Sequence, residues 1–513
     1  MENTNSNNKS FETRMQNAVK SDNLLSSLIE TFQKVDYQLI VYGDEIDKLR
    51  KDYNNEKDNT RKYELLEELK NYQVKMVQKH VILVEKLLEH SRNVGNELSI
   101  YQNSIYIYDG KYWKNINKHL FSTLLSEIAI KSGIDHLIAK QQDEIERLNK
   151  QFFRSGNFPE IDLEDDCVKI NLNNGTFTVD KENSILKCHD SDDFLKYILP
   201  FDYNPSATAP MFTKFLNTVL PDKQSQLVLS EYIGYIFNKS LKLEKCLLIL
   251  GNGANGKSVF FEIIKALFGA NNICHFTLQN LCDEKGYHRA SIGQKLLNYS
   301  SEIGARKCPP DTIKKLISGE PIDARLPFGE PFEISNYCRF IFNTNSLPKE
   351  TEQSVAFYRR FIIVKFEVTI PKEERDPFLA KKIIQNELSG IFNWVVEGLE
   401  RITKQKGFTH APLIEAELSM YEEESNSVGL FMDDNGYKPS TQKHTERKYL
   451  YEAYMNYCRE NGYIQVGGSE FSRRLENLGF RIKRKATNNA TLVYCDNSVI
   501  DQQTDSIIKE ILL

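Results

Sequence analysis

The chain has 513 residues, 40% of them hydrophobic, and a formal net charge of −5, which suits roughly two to four domains and excludes a protein that is basic overall, so any nucleic-acid surface must be local. Its longest apolar runs, CLLIL and FIIV, fall far short of the roughly 20 residues of a membrane helix, so no membrane partner is expected, and the polar start MENTNSNNKSFETRMQ has no secretory core. The nine cysteines include no C-x-x-C pair, which argues against a zinc module and a disulfide framework and for a reducing, cytosol-like compartment.

Residues 1–20 are rich in Asn, Ser and Lys and read as loose. From Asp22 to Val94 the chain is proline-free and rich in Glu, Lys, Leu and Gln. Leu65, Leu66 and Leu69, then Val74, Met76 and Val77, suggest an amphipathic helical face, and Val81 to Leu88 a packed segment. The heptad is not sustained, which favours a helical hairpin on its own chain over an intermolecular coiled coil. SIYQNSIYIYDGKYW then alternates aromatic and polar residues and reads as a hairpin turning at Asp109-Gly110. Helical sequence runs from Lys118 to Phe153, and Glu164-Asp165-Asp166 reads as a solvated lead-in rather than a metal cluster. Cys167 to Val179 is a second hairpin, turning at Asn173-Asn174-Gly175. LPFDYNPSATAP is a connector, and helices from Met211 to Phe237 follow. The pairs Cys188-His189 and Cys274-His275 have no partners at ligand spacing.

Cys246 to Leu250 reads as a buried strand. After it comes Gly251-Asn252-Gly253-Ala254-Asn255-Gly256-Lys257-Ser258, a full match to G-x-x-x-x-G-K-[ST]. Val259 continues into a helical run that Gly269 can close. Glycines let backbone N–H groups curl around a phosphate chain at a helix N-terminus. Lys257 would reach the β/γ-phosphates and the Ser258 hydroxyl would hold Mg²⁺. The expectation is a site for a nucleoside triphosphate with Mg²⁺. Beyond it, strands are expected at Lys295 to Tyr299, Tyr337 to Phe342 and Arg360 to Phe366, with helix from Phe378 to Lys404, as in a three-layer α/β core. Glu302 would end a strand lying beside the Cys246–Leu250 strand, where a carboxylate can polarise an attacking water and help hold Mg²⁺. Asn345 could orient the same water or the γ-phosphate. Arg359-Arg360 suits the phosphate of a neighbouring subunit.

A linker is expected around Asp433 to Gln442. In the last module Leu450, Tyr451, Tyr454 and Cys458 share one helical face. Ser469 can cap a second helix whose Phe471, Leu475 and Leu478 point in and whose Arg473 and Arg474 face out. Phe480 to Lys483 and Thr491 to Tyr494 read as a hairpin around RKATNNA. Two helices and a hairpin with a basic tip outline a winged helix, with Arg473, Arg474, Arg481, Lys483, Arg484 and Lys485 suited to duplex DNA phosphates; a protein–protein winged helix with solvated charge is the alternative.

The ordered blocks GNGANGKS, LLNYSSEIG, IKKLISGEPIDARLPFGEPFEI, RFIFNTNSLP and FYRRFIIVKF resemble the superfamily 3 helicases. More narrowly, the chain resembles the helicase half of the phage/plasmid and poxvirus primase-helicase family over residues 95–435. The resemblance implies an AAA+-like P-loop core, usually hexameric, that hydrolyses ATP between subunits and draws single-stranded DNA through its centre. On that footing Lys257 and Ser258 are the Walker A pair, Glu302 the Walker B acid, Asn345 the polar sensor and Arg360 the likelier finger. Lys314 matches the family's pore lysine, with Lys315 and Arg325 as helpers. The compartment implied is bacterial cytosol or infected-cell cytoplasm. Three positions depart from the family's pattern: Ser301 in place of a second Walker B acid, Glu320 in place of Asp, and Ser318 in place of Gly. Residues 1–95 show no acidic-plus-histidine primase constellation, so a primase or polymerase would act as a separate partner.

The expected division is therefore a helical region over 1–95 for assembly or partner docking, an α+β domain over 96–240, the ATPase core over 241–435, a winged helix over 440–500 and a tail over 501–513. The expected activity is that of an ATP-dependent DNA helicase for replication of a phage, plasmid or other mobile element. A replication initiator that melts an origin and a ring NTPase that remodels or loads proteins are the alternatives.

Overall fold

A computed structural model describes residues 23–101, 103–158, 167–180, 183–304, 308–327, 329–345, 355–485 and 490–497. The loose start, Glu164 to Asp166, much of the RKATNNA turn and the 501–513 tail lie outside them. Contacts divide the chain into two units, one built almost entirely from residues up to Ile198 and the other from Leu199 onward.

The first unit opens with helices α1 (Asn23–Thr31), α2 (Tyr37–Tyr42), α3 (Asp44–Asn55), α4 (Asn59–Asn71) and α5 (Met76–Asn93). Asp36 and Asp58 start α2 and α4 by accepting from the Leu39 and Arg61 N–H groups, which meets donors the first turn leaves open. Charged α3 and α4 pack on each other within the chain. The aromatic alternation gives three strands rather than a two-stranded hairpin: β1 (Leu98–Tyr101), β2 (Ser104–Tyr108) and β3 (Trp113–Ile116), all antiparallel. The Asp109 carboxylate makes the second turn by accepting from Lys111 N and Tyr112 N, both at 2.9 Å. Helices α6 (Lys118–Lys131), α7 (His136–Ala139) and α8 (Gln142–Ser155) follow. Leu83, Val84 and Leu87 of α5 share a core with Ile100, Phe121, Leu125 and Phe152. A sheet of β4 (Val168–Leu172), β5 (Gly175–Val179) and β6 (Ser184–Lys187) closes the unit.

The second unit begins with α9 (Pro210–Val219) and α10 (Lys223–Tyr235), then β7 (Cys246–Leu250), α11 (Lys257–Phe268), β8 (Ile273–Cys274), α12 (Leu278–Leu281) and β9 (Leu297–Ser300). Next come α13 (Pro310–Ser318), the β10 (Ile322–Arg325) and β11 (Pro331–Ile334) hairpin, β12 (Arg339–Thr344), α14 (Val355–Tyr358) and β13 (Phe361–Lys365). The five strands of the parallel sheet run in the order β13-β7-β12-β9-β8. With neighbours on both sides, β7 lies in the interior of the sheet, and its unbroken apolar sequence is what two covered faces require. The order corrects one expectation, because β12 rather than β9 lies beside β7 on the β9 side.

Helix α15 (Leu379–Gln405) packs along α10. Close approach is possible because Gly398 lies against the Ser230 backbone, where a Cβ would come within 2.4 Å of the carbonyl. From α15 the buried Glu387 carboxylate accepts from Met211 N and Phe212 N at 2.9 and 2.8 Å, capping α9. Helix α16 (Pro412–Ser425) joins the sheet's core through Tyr421.

The stretch expected to be a linker is structured. Helix α17 (Ser427–Asp434) places Val428, Phe431 and Met432 in the core of the last module, and β14 (Tyr437–Pro439) pairs with its final strand. After β15 (Thr445–Glu446), α18 (Arg447–Asn461) and α19 (Gly468–Asn477) lead to the hairpin of β16 (Arg481–Arg484) and β17 (Thr491–Asn497). Leu450, Tyr454, Cys458, Phe471 and Leu475 are buried together. Three details of α19 differ from expectation. Gly467, not Ser469, is its N-cap, Leu478 is 38% exposed, and Arg474 is only 5% exposed.

Candidate functional site

The loop from Gly251 to Gly256 joins β7 to α11, so its backbone turns directly into a helix N-terminus. Two of its glycines have steric reasons. A Cβ on Gly251 would lie 1.8 Å from Asn255 Nδ2. Gly256 has φ +86°, and a Cβ there would meet Val219 Cγ1 at 2.7 Å. The segment leaving β13 straps the loop from outside: Asn255 Nδ2 donates to Phe366 O and Ile370 N to Ala254 O, each at 2.9 Å. Asn252, Gly253, Ala254 and Ser258 remain exposed, and Val259 is half-buried.

Lys257 is 8% exposed. Its ammonium donates to Gly251 O, to Asn255 Oδ1 at 3.3 Å and to Asn345 Oδ1 at 3.1 Å. Burial holds its pKa below the usual lysine value. Asn345 follows directly on β12, and the parallel register pairs Thr344 with Leu250, so Lys257 and Asn345, which are 88 residues apart in sequence, meet at one edge of the sheet. Beside them a hollow of about 480 Å³ opens, lined by Asn252, Glu367, Thr369, Tyr421, Glu424 and Ser425 among others. No sequence motif marks the α16 side of this hollow. Only the fold brings it there.

Glu302 is exposed and follows β9 on the same edge. Ser300 pairs with Phe342, so Glu302 stands level with Thr344 but two strands from β7, about 10 Å away at ordinary strand spacing. The Ser300 hydroxyl bonds Glu302 O at 2.7 Å and fixes the backbone there. Among the described residues no three His, Cys, Asp or Glu side chains gather as a metal cage, and no helix is long and apolar enough to cross a membrane.

The arginine pair stands at the opposite edge. Phe361 pairs with Cys246 at the start of β13 and Lys365 with Leu250 at its end. Arg360 is therefore separated from its own chain's loop by the length of the strand, about 16 Å. The two guanidinium groups differ. Arg359 is exposed and paired with Glu244 at 2.9 Å. Arg360 points inward, 7% exposed, donating to Ser318 Oγ from Nε and Nη2 at 3.1 and 2.9 Å and to Ala356 O. Of the two, the one favoured from the sequence is the one the fold encloses.

On α13, Lys314 pairs with Asp311 at 2.8 Å and Lys315 is exposed. Arg325 is exposed at the end of β10 and donates to Gly329 O at 2.8 Å within the hairpin. No local pattern marks Arg289, which is buried and ties β10 down through Asp323 O at 2.6 Å and Asp323 Oδ2 at 2.9 Å. In the last module Lys483, Arg484 and Lys485 are exposed along the hairpin. Arg473 is exposed and pairs with Glu470 at 2.9 Å, whereas Arg474 is turned into the module, where it also meets Glu470, at 2.8 Å.

Three family descriptions match the chain: D5 N terminal like over residues 85–221, a family of unknown function (DUF5906) over 249–360, and Poxvirus D5 protein-like over 423–504. A protein of Acanthamoeba polyphaga mimivirus described as a candidate helicase is 23% identical over 248 residues. That match covers 43% of this chain and spans a quarter of the mimivirus protein's length (25%). Two apo structures of the NrS-1 C-terminal region, each 13% identical, superpose with TM-scores of 0.42 and 0.40. They cover 80% and 81% of this chain and 99% of theirs, and at such scores the likeness carries no argument. The two D5 matches flank the loop-bearing sheet in chain order, and together with the mimivirus match they support a phage/poxvirus-type primase-helicase family.

Proposed function

We propose that this protein is an ATP-driven DNA helicase of a replication system, working as a ring of six copies by analogy with the family it resembles, with each nucleotide held between neighbours. The observation that carries the reading is the setting of Lys257. Its ammonium is buried against three neutral oxygens with no carboxylate partner among the described residues, and a desolvated cation so placed gains most from an arriving anion. The P-loop reading follows: a triphosphate lies along the backbone N–H groups of 251–258, with Lys257 on its β/γ-phosphates. The residues also fit magnesium, which keeps waters and substrate oxygens as ligands and needs few protein groups. Ser258 and Glu302 would supply those, and the ion would neutralise phosphate charge. Glu302 takes a proton from the attacking water, and Asn345 Oδ1, already in contact with Lys257, orients it. The hollow beside the loop gives the nucleobase and ribose room.

Arg359 and Arg360, at the opposite edge of the sheet from their own loop, serve a neighbour's phosphate. Lys314, Lys315 and Arg325 contact single-stranded DNA, and a few cations repeated around a ring suffice for a backbone-tracking grip. The C-terminal module is read as a winged helix that meets duplex phosphates through Arg473, Lys483, Arg484 and Lys485, with Arg474 in a structural role.

Steady-state ATP hydrolysis with and without single-stranded DNA, with mass determined in the same buffer, tests the reading. The expected result is stimulation by DNA in a ring-sized species. Hydrolysis indifferent to DNA would overturn it in favour of a protein-remodelling NTPase. Strand displacement on a forked substrate then separates a helicase from an origin-melting initiator.

A further inference from the structure

The edge of the sheet that carries the arginine pair also carries α13 and its hairpin. Tyr337, just ahead of β12, donates its hydroxyl to Lys315 O and Glu320 O at 3.0 and 2.9 Å, which fixes the end of α13 to that edge. Ser318 is the last residue of α13, followed by Gly319 in the left-handed region at φ +71°. Its single hydroxyl receives two hydrogen bonds from the Arg360 guanidinium. A cation at a helix C-terminus is favourable, and hydrogen bonds from a charged donor are the stronger kind. Around them stand Glu244, 2.9 Å from Arg359 and 3.5 Å from Arg360, and Lys245, whose ammonium donates to Arg359 O. Among the described residues one carboxylate is thus shared by two guanidinium groups with a lysine alongside, which leaves the cluster a positive excess that can accept a neighbour's phosphate.

We infer that Ser318 is a positioning residue that couples the DNA-contacting helix to the arginine pair, holding the Arg360 guanidinium inward until α13 moves. The inference rests on the function proposed above. Lys314 and Lys315 lie on the same short helix as Ser318, so a pull on the helix by bound DNA is transmitted to the Ser318–Arg360 bonds without an intervening loop.

The test compares ATP hydrolysis by the full chain, with and without single-stranded DNA, in wild type, Ser318→Ala and Ser318→Thr, with saturation curves separating kcat from KM. Ser318→Ala is expected to change the DNA stimulation of kcat on the order of tenfold, the size of one charge-assisted hydrogen bond, while KM for ATP stays within about twofold because the nucleotide loop lies at the other edge. Ser318→Thr, which keeps the hydroxyl, is expected to retain wild-type stimulation. Unchanged stimulation in Ser318→Ala, or equal change in both variants, overturns the inference. If Ser318→Ala fails to fold by thermal melting, Ser318→Cys takes its place with the same expectations, since a thiol is a weak acceptor. Failure of the underlying reading looks different: Lys257→Ala would keep its turnover, or wild type would ignore DNA altogether.

Discussion

Lys257 shows how much a single side chain's chemistry depends on its surroundings. Its ammonium is enclosed by loop and strand, and burial lowers its pKa. Bound phosphate would raise that pKa again, so nucleotide binding should take up protons on the alkaline side. Calorimetry in buffers of different ionisation enthalpy should find greater uptake at about pH 9 than at about pH 7, because the lysine's usual value near 10.4 is displaced downward only in the free protein. Lys257→Ala should abolish ATP turnover in a steady-state assay. Arg360→Ala and Arg359→Ala should both spare nucleotide binding and lose turnover, measured by equilibrium binding beside hydrolysis. Because Arg360 is enclosed by Ser318, Ala356 and Glu244, its loss should also lower the melting temperature, whereas loss of exposed Arg359 should not.

Elements hold these residues in place through contacts far apart in sequence. Helix α9 begins on a carboxylate from α15, 176 residues later, and Phe215 and Val219 of α9 press on Gly256. Glu387→Ala removes the cap and should cost roughly 1–2 kcal/mol of stability, the range of a lost N-cap, read as a lower denaturation midpoint. Gly256→Ala adds a Cβ into that contact and should damage the loop without touching Lys257. In the C-terminal module, Lys483, Arg484 and Lys485 are exposed on one hairpin. Replacing all three with alanine should weaken duplex binding irrespective of sequence, and the log–log salt slope should flatten by about 2–3. Arg474→Ala should instead act on stability, since the side chain is buried against Glu470.

For the whole molecule, the placement of the loop and the arginine pair at opposite edges of one parallel sheet has a direct consequence. A copy cannot bring its own Arg360 to its own loop while β13 stays paired with β7. Turnover under the proposed function therefore needs two copies. Lys257→Ala and Arg359→Ala chains, each inactive alone, should regain measurable hydrolysis when mixed, because one interface then combines an intact loop with an intact arginine. Specific activity should likewise rise with protein concentration until assembly is complete, followed by mass measurement. Failure of the mixed chains to recover any turnover would exclude shared sites.

Local pattern was enough to read much of this protein. The apolar run at 246–250, the glycine-lysine-serine loop and the helix closed by Gly269 follow from strand burial, phosphate-cradling geometry and helix capping. All three are short-range properties written in adjacent residues. Strand order was not legible, because parallel strands joined by long crossovers leave no adjacent-residue record of their neighbours. Sequence proximity placed β9 beside β7, and the fold put β12 there. The outward or inward turn of Arg360 and Arg474 was equally hidden, since a helix or strand end fixes a side chain's direction only once Ser318, Glu244 or Glu470 is packed against it. The supposed linker at 433–442 failed for the same reason: its polar composition looked like loop until Val428, Phe431 and β14 found partners in the last module. The sequence by itself determined which charged and polar side chains the chain carries and the order in which they follow its strands and helices. Tertiary packing decided which edge of the sheet each group faces, because that direction is set by contacts between residues far apart along the chain.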